Sequence, residues 1–177
     1  MKKIVFLLFG LLALLTVKAQ ERSIFTSHSP EGCVASVDSM LQGAKRAYKL
    51  IKSYPYDNQS KFILDYRGSK PGSADSVNMR VVFIKRAKGA NPAMEIAGET
   101  VYELQAMYGK FLDIFPVWNK YVDPTADMSA IATKRRCDRK KFENPDGSGE
   151  EYNFKEDSQD KSKWQFQRSS WYTTVRL

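Results

Sequence analysis

Apolar residues at Val34, Val37, Leu41, Ala44, Tyr48 and Ile51 step by three and four along the chain, the spacing of one helical face. Ser29-Pro30-Glu31 stands just ahead of them, an N-cap residue, a proline at the first helical position and an acid in the first turn. Cys33 and Met40 flank the apolar face, and Tyr54-Pro55 ends the run. One long helix is predicted between those signals.

Lys61–Arg67 (KFILDYR) changes the period. Phe62, Leu64 and Tyr66 alternate with polar neighbours, and Asp65 falls on the polar face of the strand. GSKPGSAD is a turn-rich loop, and SVNMRVVFIKR places Val77, Met79, Val81 and Phe83 on one face, with Val82 and Ile84 on the other. The two segments predict an antiparallel hairpin.

From about Glu99 to Ile114 helical steps return through Val101, Leu104, Tyr108, Phe111, Leu112 and Phe115. Gly98 and Gly109 weaken that helix, and Pro116 is expected to kink or end it. FPVWNKYVDP reads as a short continuation carrying Trp118 and Tyr121, and Asp123-Pro124 caps a further turn reaching about Ala132. Residues 135–143 and 150–155 flank NPDGSG, a hairpin signal, and KWQFQRSSWYTTVRL is rich in the aromatic and β-branched residues of a final strand. In a regular strand Trp171 falls opposite Trp164 and Phe166. The order α-β-β-α-β-β-β predicts an α+β single domain over residues 29–177, a curved antiparallel sheet of about five strands packed against two main helices.

The first residues alter where that domain is expected to work. Lys2 and Lys3 precede an apolar run from Ile4 to Val17, and Val17-Lys18-Ala19 resembles a cleavage site, so residues 1–19 read as a cleavable secretory signal. The run is short of the roughly 20 residues a membrane span needs, and no membrane span is expected in the mature chain. Residues 20–28 read as a loose N-terminal arm. The expectation is an exported protein of the bacterial cell envelope, periplasmic or extracellular. The full chain carries 28 lysines and arginines against 20 carboxylates, a formal charge of +8, and loss of the three lysines before residue 20 leaves +5.

Export makes a disulfide between Cys33 and Cys137 an expectation, and closing so long a loop would stabilise the fold by about 4–5 kcal/mol in the chain-entropy picture. The one histidine, His28, removes most nucleophilic and zinc chemistry, and no phosphate-cradling or dinucleotide motif is present. No cofactor is expected. Lys134, Arg135, Arg136, Arg139, Lys140 and Lys141 crowd around Cys137 and read either as a charged edge strand or as a docking patch for an anionic surface. No aromatic interrupts that run, and nucleic acid is not expected as a partner. Trp118, Tyr121 and Trp171 are candidate pocket aromatics. Together these features favour a non-catalytic binding or accessory protein for an apolar small molecule or an anionic envelope surface or protein. The competing reading is a carboxylate-dependent hydrolase built on Glu99 and Glu103.

Overall fold

A computed structural model describes residues 23–86, 100–134 and 137–171. The expected signal at 1–19, Glu99, Arg135 and Arg136 lie outside the described residues. Within the stretch read as an arm, a 3-10 turn at Ser23–Phe25 leads into a two-residue strand, β1 (Thr26–Ser27), and Phe25 is fully buried.

Helix α1 spans Pro30–Leu41. Its start is the one expected: the Ser29 hydroxyl accepts a hydrogen bond from the Gly32 N–H at 3.0 Å, satisfying one of the otherwise unpaired donors of the first turn. Its end is not. The chain leaves the helix at Gln42-Gly43 and re-enters as β2 (Ala47–Tyr56), so the long helix predicted up to Tyr54 is half helix and half strand. β3 (Lys61–Ser69) and β4 (Ser76–Arg86) form the expected hairpin.

The second predicted helix is corrected in the same way. β5 (Val101–Gly109) is a strand, and helix α2 (Phe111–Tyr121) begins only after it and runs through Pro116. The misleading spacing has a structural cause. Val81 pairs with Met107 and Phe83 with Leu104, so Gln105 is extruded as a bulge. Leu104 and Met107 therefore enter the core three residues apart, a helical step made by a strand. A second bulge at Ile51, between Leu50 and Lys52, disturbs the alternation of β2. α3 (Met128–Lys134) follows, then β6 (Asp138–Glu143), β7 (Gly149–Glu156) and β8 (Trp164–Trp171).

The class is α+β as predicted, but the predicted curved sheet of about five strands does not form. Eight strands build one open antiparallel sheet ordered β2-β3-β4-β5-β8-β7-β6, and β1 pairs with β5 off that path. β2 and β6 are its unjoined ends. The helices bury Cys33, Val37, Ile114, Trp118 and Ile131 against Leu64, Tyr66, Val81, Phe83, Phe154 and Phe166 in one core cluster. No helix among the described residues is long and apolar enough to cross a membrane.

Gly68 marks how tightly β2 is held down. A Cβ there would stand 2.6 Å from the Tyr48 ring, which lies over the glycine from the neighbouring strand. Gly68→Ala should cost about 1–3 kcal/mol through overpacking, seen as a lower urea midpoint with an unchanged slope. A change below about 0.5 kcal/mol would mean that the ring moves aside freely.

Candidate functional site

The period-2 geometry of a strand sends alternate side chains to opposite faces. One face of β2–β5 meets the helices. The other carries the side chains between the core positions, and here the sheet and the Asp157–Lys163 turn line a groove of about 820 Å3, within the usual range for small-ligand sites.

Strand register arranges that face in rows. Lys49 stands opposite Arg67, which stands opposite Asn78. The next row runs Lys52, Asp65, Arg80, Tyr108, Gln165 and Lys155 across six strands. A third, mostly apolar row runs Tyr54, Ile63, Val82 and Ala106. β2–β4 thus present six cations on this face: Lys49, Lys52, Lys61, Arg67, Arg80 and, away from the groove and held by Glu103, Arg86. Four carboxylates lie near the first five: Asp65 binds Arg80 through Nε at 2.7 Å, Asp57 in the β2–β3 turn binds Lys61 at 3.1 Å, and Asp157 and Asp160 line the groove from the turn, Asp160 paired with Lys163 at 2.9 Å. The Arg80 guanidinium, helped by the Tyr54 hydroxyl, holds the Asp65 carboxyl below the usual carboxylate range despite partial burial. The Lys52 ammonium rests 4.5 Å from the centre of the Tyr54 ring. Lys49 and Arg67 are exposed, like-charged and directly opposite one another, an arrangement that opposes strand pairing.

The residues singled out in the sequence lie elsewhere. Trp118 is fully buried, stacks on Phe154 and donates its indole N–H to Asp138 at 3.1 Å. Tyr121 packs edge-on against Phe25. Trp171 is on the face opposite Trp164 and Phe166, but it donates to the Gly147 carbonyl at 2.8 Å and lies under the Lys141 ammonium, outside the groove. Arg139 pairs with Glu151, Lys140 with Asp123 at 2.9 Å, and Lys141 with Glu143 at 2.9 Å. β6 is an end strand of the sheet, and each of these three cations has a carboxylate neighbour.

The Cys33–Cys137 disulfide is corrected: both thiols are free. Cys33 is enclosed beneath α1, while Cys137 is exposed at the start of β6, the far end of the sheet, with Sγ 3.7 Å from Asn153 Oδ1. Two cysteines so placed cannot meet the roughly 4–7 Å Cα separation a disulfide requires.

Glu103 is also away from any cleft. Its side chain is 3 % exposed and is held by Arg86 at 3.2 Å, by Arg168 at 3.6 Å and by the Ser170 hydroxyl at 2.9 Å. Arg168 also pairs with Glu150, whose carboxylate accepts from the Tyr152 hydroxyl at 2.6 Å. Burial pushes the Arg168 guanidinium down, but Glu150, Tyr152 and Glu103 more than offset it and hold it above the ordinary arginine value. This network sits where β8 stops pairing with β5 and β1 takes up the free edge of β5.

β2 contributes Ile51, Tyr54 and Tyr56 to the groove, with Lys49 and Lys52 on the same face beside it, and most of that strand lies in the segment predicted as a helix. The signal available was AYKLIKSYPY itself, in which Tyr48 and Leu50 flank Lys49 before the bulge and Tyr54 and Tyr56 alternate with Ser53 and Pro55 after it. No protein-family model, curated protein or solved structure matches the chain.

Proposed function

We propose that the chain is an exported, non-catalytic binding protein of the cell envelope that takes an anionic ligand on the outer face of β2–β4. The observation that carries this reading is the Lys49–Arg67 pair, which has no carboxylate partner among the described residues and whose Arg67 lines one end of a formed groove. Like charges placed directly opposite cost stability, and an anionic ligand would turn that cost into binding energy. The export part rests on the sequence pattern of residues 1–19. The non-catalytic part draws support from Glu103, whose carboxylate is enclosed by two arginines and a serine rather than open to a substrate. The 138–143 strand is the weaker surface, because Arg139, Lys140 and Lys141 already face carboxylates.

Titration calorimetry with three short polyanions, a polyphosphate, an oligogalacturonate and an acidic peptide, tests the reading. At least one should bind with an affinity that falls steeply with salt. Lys49→Gln/Arg67→Gln should weaken it at least tenfold, and Arg139→Gln/Lys141→Gln should leave it within about twofold. No binding to any probe at low salt, or the opposite ranking of the two variants, overturns the proposal.

A further inference from the structure

Resting on that outer-face reading, the geometry points to a ligand class: a glycan that bears carboxylates, with Lys49 and Arg67 holding an acidic group and the Tyr54, Ile63 and Val82 row receiving the body of the sugar.

Three features of the face select this chemistry. Charge is graded along the strands rather than uniform. The first row is doubly cationic, the second interposes Asp65 between Lys52 and Arg80, and the third carries no charge from Tyr54 to Ala106. Same-face rows are about 7 Å apart along a strand, so the first and third are separated by about 14 Å. A ligand spanning them needs negative charge at one end and a neutral, partly apolar body at the other. A chain with a phosphate at every unit would set negative charge against Asp65.

Hydrogen-bonding capacity is interleaved with the charges. Asn78, Gln105 and Tyr108 line the groove, and their amides and phenol are the groups that pair with hydroxyls. Arg67 supplies a planar fork suited to a carboxylate. Sugar acids combine both kinds of partner in one molecule.

The aromatic side chains are placed for edge contact and not for stacking a series of bases. One face of Tyr54 is occupied by the Lys52 ammonium, and its hydroxyl is committed to Asp65 at 3.2 Å. Binding of single-stranded nucleic acid depends on open aromatic platforms for successive bases, and here Tyr56 alone stands well exposed, at 58 %. A lipid surface would call for a broad apolar wedge, and the lone exposed aliphatic of this groove is Ile51.

Four probes separate the possibilities on the purified chain: a galactose oligomer capped by one galacturonate, a neutral galactose oligomer of equal length, a single-stranded oligonucleotide and phosphatidylglycerol vesicles. The galacturonate-capped oligomer should bind at least tenfold more tightly than each of the others at matched salt. Lys49→Gln/Arg67→Gln should remove at least tenfold of that affinity, and Arg67→Lys should recover only part of it, because an ammonium lacks the fork. Equal binding of the neutral oligomer, or tighter binding of oligonucleotide or vesicles, overturns the glycan assignment. If the double variant still weakens that other binding, the outer-face reading survives the loss of this one. Failure of all four probes together with the polyphosphate and acidic peptide overturns both.

Discussion

Arg168→Met should destabilise the protein by about 3–5 kcal/mol, a large fraction of the 5–15 kcal/mol that holds a typical domain together. The cause is not the loss of one attractive contact. Arg168 is 4 % exposed at its side chain and lies between Glu103 and Glu150. Removing the guanidinium leaves Glu103, itself 3 % exposed, with Arg86 and Ser170 as its remaining named partners, and leaves Glu150 with the Tyr152 hydroxyl. Desolvated carboxylates without full compensation account for the cost. The same physics predicts a rescue. Glu103→Leu/Glu150→Gln/Arg168→Met removes the three most enclosed charges together, leaving Arg86, which is 31 % exposed and open to water, and should recover most of the loss, since buried ion clusters are often no more stabilising than apolar replacements. Urea unfolding of the two variants checks both halves. A loss below about 1 kcal/mol for Arg168→Met would show that water reaches the cluster.

The two thiols should differ in reactivity by at least a thousandfold. Burial pushes the Cys33 thiol up to about 12 from an ordinary value near 9, the Ser27 hydroxyl opposing the shift only partly. At pH 8 a rise of about three units cuts the thiolate fraction about a thousandfold, and full enclosure slows reagent access further. Cys137 is exposed. Iodoacetamide should add one label to the native protein at Cys137 and a second only in denaturant, with no mass change on reduction beforehand. A native protein that takes no label and gains two daltons on reduction would contradict the arrangement of both cysteines. The shift also has a stability consequence with a definite sign. The folded state keeps the Cys33 proton where the unfolded chain loses it, so the contribution is complete below about pH 9 and is lost as pH rises towards about 12.

The parts of the fold legible in the sequence were those whose local signals agree with their tertiary surroundings. The Ser29-Pro30 start of α1, the β3–β4 hairpin and the NPDGSG turn between β6 and β7 each combine a period with its punctuation. Trp171 stands opposite Trp164 and Phe166, as a regular strand requires, because no bulge interrupts the β7–β8 register. β2 and β5 were misread because each carries a bulge, at Ile51 and Gln105, that replaces a step of two by a step of three. A bulge is a tertiary device, and composition does not mark it. The Glu103–Arg168 pair joins residues 65 positions apart, and β1 is two residues long. Neither leaves a periodic trace.

The candidate site was half legible for the same reason. Lys61, Asp65 and Arg67 follow from the polar face of KFILDYR. The β2 side chains that line the groove beside them, Ile51, Tyr54 and Tyr56, and the neighbouring Lys49 and Lys52 sit on the strand hidden by the first bulge. The basic run 134–141 is more conspicuous in the sequence, yet Arg139 is paired with Glu151 across a strand, Lys140 with Asp123 far back in the chain, and Lys141 with Glu143 two positions on along β6. Density of charge along a sequence is therefore a poor guide to charge left over on the folded surface.

The most direct test of outer-face binding is a chemical-shift map of the isotope-labelled protein titrated with a galactose oligomer capped by one galacturonate. Shifts should concentrate at Lys49, Lys52, Arg67, Asn78, Arg80 and Tyr108 and fade as salt is raised. Shifts confined to residues 138–143, or none at all along β2–β4, would contradict it.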